Sequence, residues 1–207
     1  MIELRMTEDA QRRVVRANMT TVATLVPVLL AAQVPLLLSG RNVVLTLAFV
    51  ALTLVLVAAS YPWVRHVVRN ARVVLGDGTY TVRWMRTRRF TVADVERVVT
   101  IDQMSLGGIA LTTYHLVAVG RTGRRLVHLV GQAWDRDQLT TIALDLAHRG
   151  VPLTPVHVPI TPVQLRAYDP RLVPWWQAHR VAFALLVGAG TLVLGLIAVV
   201  VTVIVLL

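Results

Sequence analysis

Residues 43–61, VVLTLAFVALTLVLVAASY, decide the class of fold, because they are uncharged over nearly the length of a helix that spans a bilayer. A second uncharged and mostly apolar run, interrupted by Pro27, covers residues 20–39. A spanning segment has to satisfy its own backbone groups, so these closely spaced runs predict an antiparallel transmembrane hairpin. Arg16 ahead of the first run also fits a signal peptide, but no convincing cleavage site follows, and we expect an uncleaved anchor.

A third uncharged run, residues 181–207, predicts another spanning helix, preceded by the interfacial anchors Trp175, Trp176 and Arg180. Small residues recur along it at spacings of three and four, which predicts a stripe for close helix packing in lipid. The partner of this stripe is either the hairpin or another protein, and chance in a helix rich in small residues is the alternative. The stripe consists of Ala184, Gly188, Thr191, Gly195, Ala198 and Thr202.

The placement of arginine predicts the orientation of these helices. Arginines crowd the two outer flanks of the hairpin, whereas its connecting loop holds only Arg41. By the positive-inside rule, the N-terminus and the central region are cytoplasmic and the C-terminus lies outside. All 21 basic residues are arginine, which with the abundance of Ala, Val and Leu suggests a GC-rich bacterial genome and a bacterial plasma membrane. The flanking arginines are Arg5, Arg12, Arg13 and Arg16, then Arg65, Arg69 and Arg72.

Composition excludes several kinds of chemistry. The chain is 56% hydrophobic and contains no cysteine, so disulfides, thiolate metal sites and cysteine nucleophiles are excluded. It also contains no lysine, which excludes Schiff-base catalysis. The histidines are scattered without ligand spacing, and Asp135 and Asp137 are typical of a helix start. We therefore expect no metal, no cofactor and no catalytic residue.

Residues 71–150 alternate apolar and polar positions, which predicts five to seven short strands. Tyr80, Val82 and Trp84 share one face of a strand that follows a Gly-Asp-Gly turn. Asp135 is positioned to cap a helix with one apolar face, formed by Leu139, Ile142, Ala143 and Leu146. The predicted organisation is a cytoplasmic N-terminus with the hairpin (1–70), this soluble domain (71–150), an extended Pro-rich linker with one short helix (151–180) and the third spanning helix (181–207).

Three stretches of the middle region resemble the pleckstrin-homology-like domains of bacterial membrane proteins. They are Gly76 to Arg83, Arg89 to Val98 and the helix from Asp135 to His148, in a strand series that ends in one helix and follows a two-helix hairpin. The resemblance implies an α+β membrane protein with a small β-sandwich or barrel. It also implies a binding or scaffolding domain at the inner leaflet without catalytic residues. The third helix and the Pro-rich linker depart from the family pattern.

Two arginine-rich turns are candidate contacts for anionic lipid headgroups, since an arginine near an anionic leaflet adds about 1 kcal/mol of attraction. Ordinary solvated turns are the alternative. The net charge of +10 also fits a nucleic-acid partner, but the soluble helix is not a basic recognition helix, and we expect none. The two clusters are Arg83, Arg86, Arg88 and Arg89, and Arg121, Arg124 and Arg125.

The sequence is consistent with three functional interpretations. The preferred one is a non-enzymatic scaffold that binds a partner protein or anionic lipid at the cytoplasmic face. The alternative is an accessory subunit of a multi-subunit transporter or cell-envelope glycosyltransferase complex, with its catalytic residues on another chain. A lipid-acting enzyme with an unrecognised site is a lesser alternative. The expected partners are membrane lipids and a membrane protein or a second copy of this chain.

Overall fold

The computed structural model describes residues 2–31, 33–34, 43–105, 112–179, 181–186 and 188–190. This part of the chain is a mixed α+β protein with two four-stranded sheets and two long apolar helices. The strands are β1 (Ile2–Arg5), β2 (Arg72–Leu75), β3 (Thr79–Arg83), β4 (Thr87–Thr91), β5 (Val95–Ser105), β6 (Thr112–Gly120), β7 (Arg125–Val130) and β8 (Leu153–Val156). The helices are α1 (Glu8–Ala31), α2 (Val43–Arg69), α3 (Arg136–His148), α4 (Pro162–Tyr168), α5 (Trp175–Ala178) and α6 (Val181–Gly190).

The helices α1 and α2 pack against each other, and both are long and apolar enough to cross a membrane. Pro27 does not end α1, and Pro62 lies inside α2. Spanning helices tolerate proline where neighbouring groups satisfy the freed carbonyl. Both helices extend past the apolar runs into the charged flanks, α1 from Glu8 and α2 to Arg69. Residues 35–39 of the first predicted run lie outside the described residues.

The two helices are joined to neighbouring strands of one sheet. The strand β1 leads into α1, β2 follows α2, and the two strands pair antiparallel with Arg5 opposite Arg72. Met6 and Val68, at the two junctions, are buried in the same core as the sheets. Residues 2–5 therefore belong to the same folded unit as the sheets, which is not confined to residues 71–150. The physical reason is that β1 covers a sheet edge that β2 would otherwise expose.

The first sheet has the order β1-β2-β3-β4, and the predicted hairpin of β2 and β3 is confirmed. Its turn places Gly78 at φ +76°, a conformation that glycine adopts without a side-chain clash. The second sheet has the order β7-β6-β5-β8. Both sheets contribute to one core with α3, whose predicted apolar face is the buried one. Asp135 and Gln138 form the predicted capping box at its start.

Residues 151–180 are not an extended linker. The strand β8 pairs in parallel with β5, and Pro155 within it is accommodated because β8 is an edge strand. The predicted short helix is α4, with Thr161 as its N-cap. Leu165 and Leu172 are fully buried against the other face of β5 and β6, where they form a second core. Asp169 forms ion pairs there with the guanidinium groups of Arg97 and Arg171.

Candidate functional site

The first arginine cluster lies at the turn between β3 and β4. The register places Arg83 opposite Arg72 on one side and Thr87 on the other. Arg72 in turn faces Arg5, so this turn is at the same end of the sheet as the junctions with α1 and α2. Arg83 and Arg86 are exposed, and Met85 between them is 70% exposed. The cluster therefore presents positive charge and one apolar side chain beside the ends of α1 and α2 that join the sheet.

The second cluster does not lie at the same end of that sheet. The backbone amide of Arg121 donates to the carbonyl oxygen of Asp94, which comes just after the opposite end of β4. The two clusters approach each other where the guanidinium group of Arg88 donates to the carbonyl oxygens of Leu126 at 3.1 Å and Arg125 at 3.5 Å. Arg89 and Arg124 are exposed and form no ion pair within the described residues.

Arg125 is a structural residue rather than a free surface cation. Its guanidinium group donates to the carbonyl oxygen of Leu172 at 3.4 Å and to the side-chain oxygen of Gln177 at 3.3 Å. Burial, and then the nearby charge of Arg88, lower the pKa of Arg125 from its usual value. These bonds hold β7 to the segment that leads into α5, so Arg125 has little capacity left for a lipid.

The sequence interpretation missed a histidine pair in the second sheet. The ring of His115 on β6 lies 2.9 Å from that of His128 on β7, measured between Nδ1 and Nε2, and the rings are stacked. Thr113 and Arg125 provide further hydrogen-bonding contacts to the two rings. Burial, followed by the neighbouring His115 and Arg125, lowers the pKa of His128 to about 3. The pair is built across two strands, so only their register could have predicted it.

An open cleft in the described residues adjoins Arg121 of the second arginine cluster. A cleft of about 430 Å³ lies between the turn after β4 and the end of α3, lined by Glu96, Arg121 and Arg149 among others. Glu96 pairs with Arg171 at 3.0 Å, so this carboxylate is already occupied. Among the described residues, no group of three histidine, aspartate or glutamate side chains is placed to hold a metal ion.

The predicted anchors and the small-residue stripe fall partly within the described chain. Trp175 and Trp176, on α5, are 41% and 48% exposed, while Arg180 lies outside the described residues. Ala184 is exposed, and a Cβ atom at Gly188 would meet nothing within 4 Å, so no described residue packs on this part of the stripe. The other stripe residues, Thr191, Gly195, Ala198 and Thr202, lie outside the described residues.

Comparison with protein-family models, with curated proteins and with solved structures finds no match for this chain.

Proposed function

We propose that this chain is a membrane-anchored, non-enzymatic binding module of the bacterial plasma membrane, with a pleckstrin-homology-like domain on the cytoplasmic side. Its two long helices cross the bilayer as a hairpin, and the domain presents a surface to a partner protein or to anionic lipid. The third apolar run completes a multi-pass anchor with an external C-terminus.

The exposure of the long helices supports the membrane location. None of the most apolar stretch of α1 and only 6% of that of α2 is buried. Val44 is 82% exposed and Val55 63%, which a helix in the core of a soluble protein would not tolerate. A removed signal sequence is also disfavoured, because its loss would take away β1, the edge partner of β2.

The single observation that carries the scaffold function is the direct junction of the helices with the sheet. Only Met6 and Thr7 separate β1 from α1, and only Asn70 and Ala71 separate α2 from β2. Met6, Val68 and Ala71 are all buried in the shared core. A module attached in this way keeps a fixed orientation relative to the membrane, unlike a domain on a flexible tether.

The test combines membrane extraction with affinity purification. Membranes containing the tagged protein are washed with alkaline carbonate, then solubilised in mild detergent, and co-purifying proteins and lipids are identified by mass spectrometry. One variant carries a Gly-Ser insertion between Asn70 and Ala71, and the matched control carries the same insertion in the turn at Asp77. Both should stay in the membrane, but only the junction insertion should lose the partner. Release by carbonate would refute anchoring, and a partner retained by both variants would refute a fixed orientation.

The open face at Gly188 favours the accessory-subunit alternative, because no described residue covers it. Small residues on a spanning helix allow close packing with a helix of another chain. In that case the same purification should yield one transporter or glycosyltransferase protein in constant stoichiometry. Replacing Gly188 with leucine should release that protein while leaving the carbonate-resistant anchoring unchanged. A chain that purifies only with lipid contradicts this alternative.

A further inference from the structure

A cleft of about 400 Å³ separates the charged ends of α1 and α2, next to their junctions with the sheet. One wall carries Arg12 and Arg16 on α1, and the other carries Arg65 and Arg69 on α2. Residues four apart on a helix share a face, so each wall presents two guanidinium groups one turn apart. Tyr61 lines the cleft one turn before Arg65 on α2, at the end of the uncharged run.

The charge in this cleft is largely uncompensated. Glu8 is the acid among the lining residues, and it lies 3.5 Å from Arg12 in an exposed ion pair. Arg16, Arg65 and Arg69 form no ion pair with any carboxylate in the described part of the chain. Arg13, by contrast, is on α1 outside the lining set and pairs with Asp135, the N-cap of α3, at 3.3 Å. Structural contacts therefore account for Arg13 but not for Arg16, Arg65 and Arg69.

We propose that this cleft binds the phosphate group of an anionic phospholipid in the cytoplasmic leaflet, with Arg16, Arg65 and Arg69 as its ligands. The proposal rests on the proposed function, since it requires that α1 and α2 cross the bilayer. Guanidinium groups donate paired hydrogen bonds to phosphate oxygens, which gives them geometric as well as electrostatic selectivity. Basic pockets between spanning helices on the cytoplasmic side are suited to anionic headgroups.

The position of the cleft selects a lipid rather than a soluble phosphate compound. Tyr61 ends the uncharged run of α2, and Arg65 and Arg69 follow at one and two helical turns, roughly 6 and 12 Å further along the axis. Headgroups occupy the depth of Arg65, because the polar region extends roughly 5–7 Å beyond the hydrocarbon core on each side. The Arg69 side chain tilts toward the N-terminus of α2 and so back toward this region. Trp63 on the same turn is 63% exposed and does not line the cleft, but it is the kind of aromatic side chain that lies at the membrane interface.

The test measures lipid binding by the full chain in nanodiscs. Nanodiscs of phosphatidylcholine alone are compared with nanodiscs that also contain phosphatidylglycerol, and lipids retained on the released protein are counted by native mass spectrometry. The cleft variant is Arg16→Gln, Arg65→Gln and Arg69→Gln combined. The control variant, Arg5→Gln, Arg136→Gln and Arg149→Gln combined, removes the same charge from exposed positions outside the cleft and outside the two arginine-rich turns. We expect retention of phosphatidylglycerol to fall roughly a hundredfold in the cleft variant, from three lost arginine contacts. The control should bind like the wild type.

Several outcomes would overturn the proposal. Equal loss in both variants would mean a general charge effect, and unchanged binding in the cleft variant would exclude the cleft. Displacement of the lipid by inorganic phosphate would identify a site for free phosphate. An all-lysine variant at the three positions keeps the charge and the membrane orientation, so its binding should be intermediate. Carbonate extraction distinguishes failure of the proposed function from failure of the lipid site. A protein that washes off the membrane refutes the proposed function, whereas an anchored cleft variant with unchanged lipid binding refutes only the lipid site.

Discussion

Tyr80 is fully buried, and its hydroxyl group donates a hydrogen bond to the carboxylate of Asp145 on α3. Burial, and then the bond to Asp145, raise the pKa of Tyr80 above its usual range. We expect Tyr80→Phe to lower the free energy of unfolding by about 1–3 kcal/mol, because a hydrogen bond to a charged group is lost from the core. Denaturant titration in detergent measures the loss. Tyr168→Phe, at a 67% exposed tyrosine, is the matched control, and an equal loss there would contradict this role of Tyr80.

His128 makes stability depend on pH. Its pKa is lowered from 6.5 to about 3 by burial and then by His115 and Arg125, so the folded protein holds it neutral where the unfolded chain binds a proton. Stability should therefore fall as the pH drops below about 6.5, by up to about 1.4 kcal/mol per pH unit. Unfolding measured between about pH 6.5 and 5 isolates this effect, because acidic side chains titrate mainly below that interval.

The control for this pH dependence is a pair of histidine variants. His128→Gln removes the titrating group, so the curve of unfolding free energy against pH should become flatter. His148→Gln changes an exposed histidine on α3 and should leave the slope unchanged. A slope that persists in His128→Gln would assign the pH dependence to another group, with His115 as the nearest candidate.

At the scale of elements, the sequence predicts those helices and strands whose apolar residues repeat with a regular period. The helix α3 has a periodic apolar face over several turns. Its N-terminus is capped by nearby residues, with the Asp135 amide donating to the Gln138 side chain at 3.3 Å. The strands β1 and β8 have only four residues each, too few to show a period, and their partners lie far along the chain. The strand register brings His115 close to His128 and aligns Arg83 with Arg72. It likewise depends on how the strands pair and cannot be read from the local sequence pattern. The cleft between α1 and α2 follows from helix packing, which arginine spacing alone does not give.

Substitutions in the second core test whether residues 151–180 contribute to the stability of the folded unit. Leu165 on α4 is fully buried, whereas Val163 on the same helix is 48% exposed. We expect Leu165→Ala to destabilise the protein by about 2–5 kcal/mol through lost contacts and a cavity, and Val163→Ala to change stability by less than about 0.5 kcal/mol. Denaturant titration combined with limited proteolysis of this segment checks both. A Leu165→Ala protein as stable as Val163→Ala would mean that the segment is only a linker.

At the scale of the whole molecule, the junctions with the sheet hold the start of α1 and the end of α2 side by side. The ends of α1 and α2 that join β1 and β2 lie beside each other, so their other ends point away from the sheets together. If the helices span the bilayer, residue 40 between them lies on the side opposite to Asp77 in the turn after β2. Arginine flanks both junctions, so the positive-inside rule predicts that this turn is cytoplasmic.

Single-cysteine labelling tests this topology, since the natural chain contains no cysteine that would interfere. In intact cells, a maleimide that does not cross membranes should label Gly40→Cys but not Asp77→Cys, and both should react after the cells are permeabilised. Asp77 is exposed, so its protection in intact cells would come from the bilayer and not from burial in the fold. Labelling of Asp77→Cys alone would invert the orientation and move the arginine cleft to the outer leaflet. Labelling of both from outside would rule out a spanning hairpin, because the two positions would then share one side.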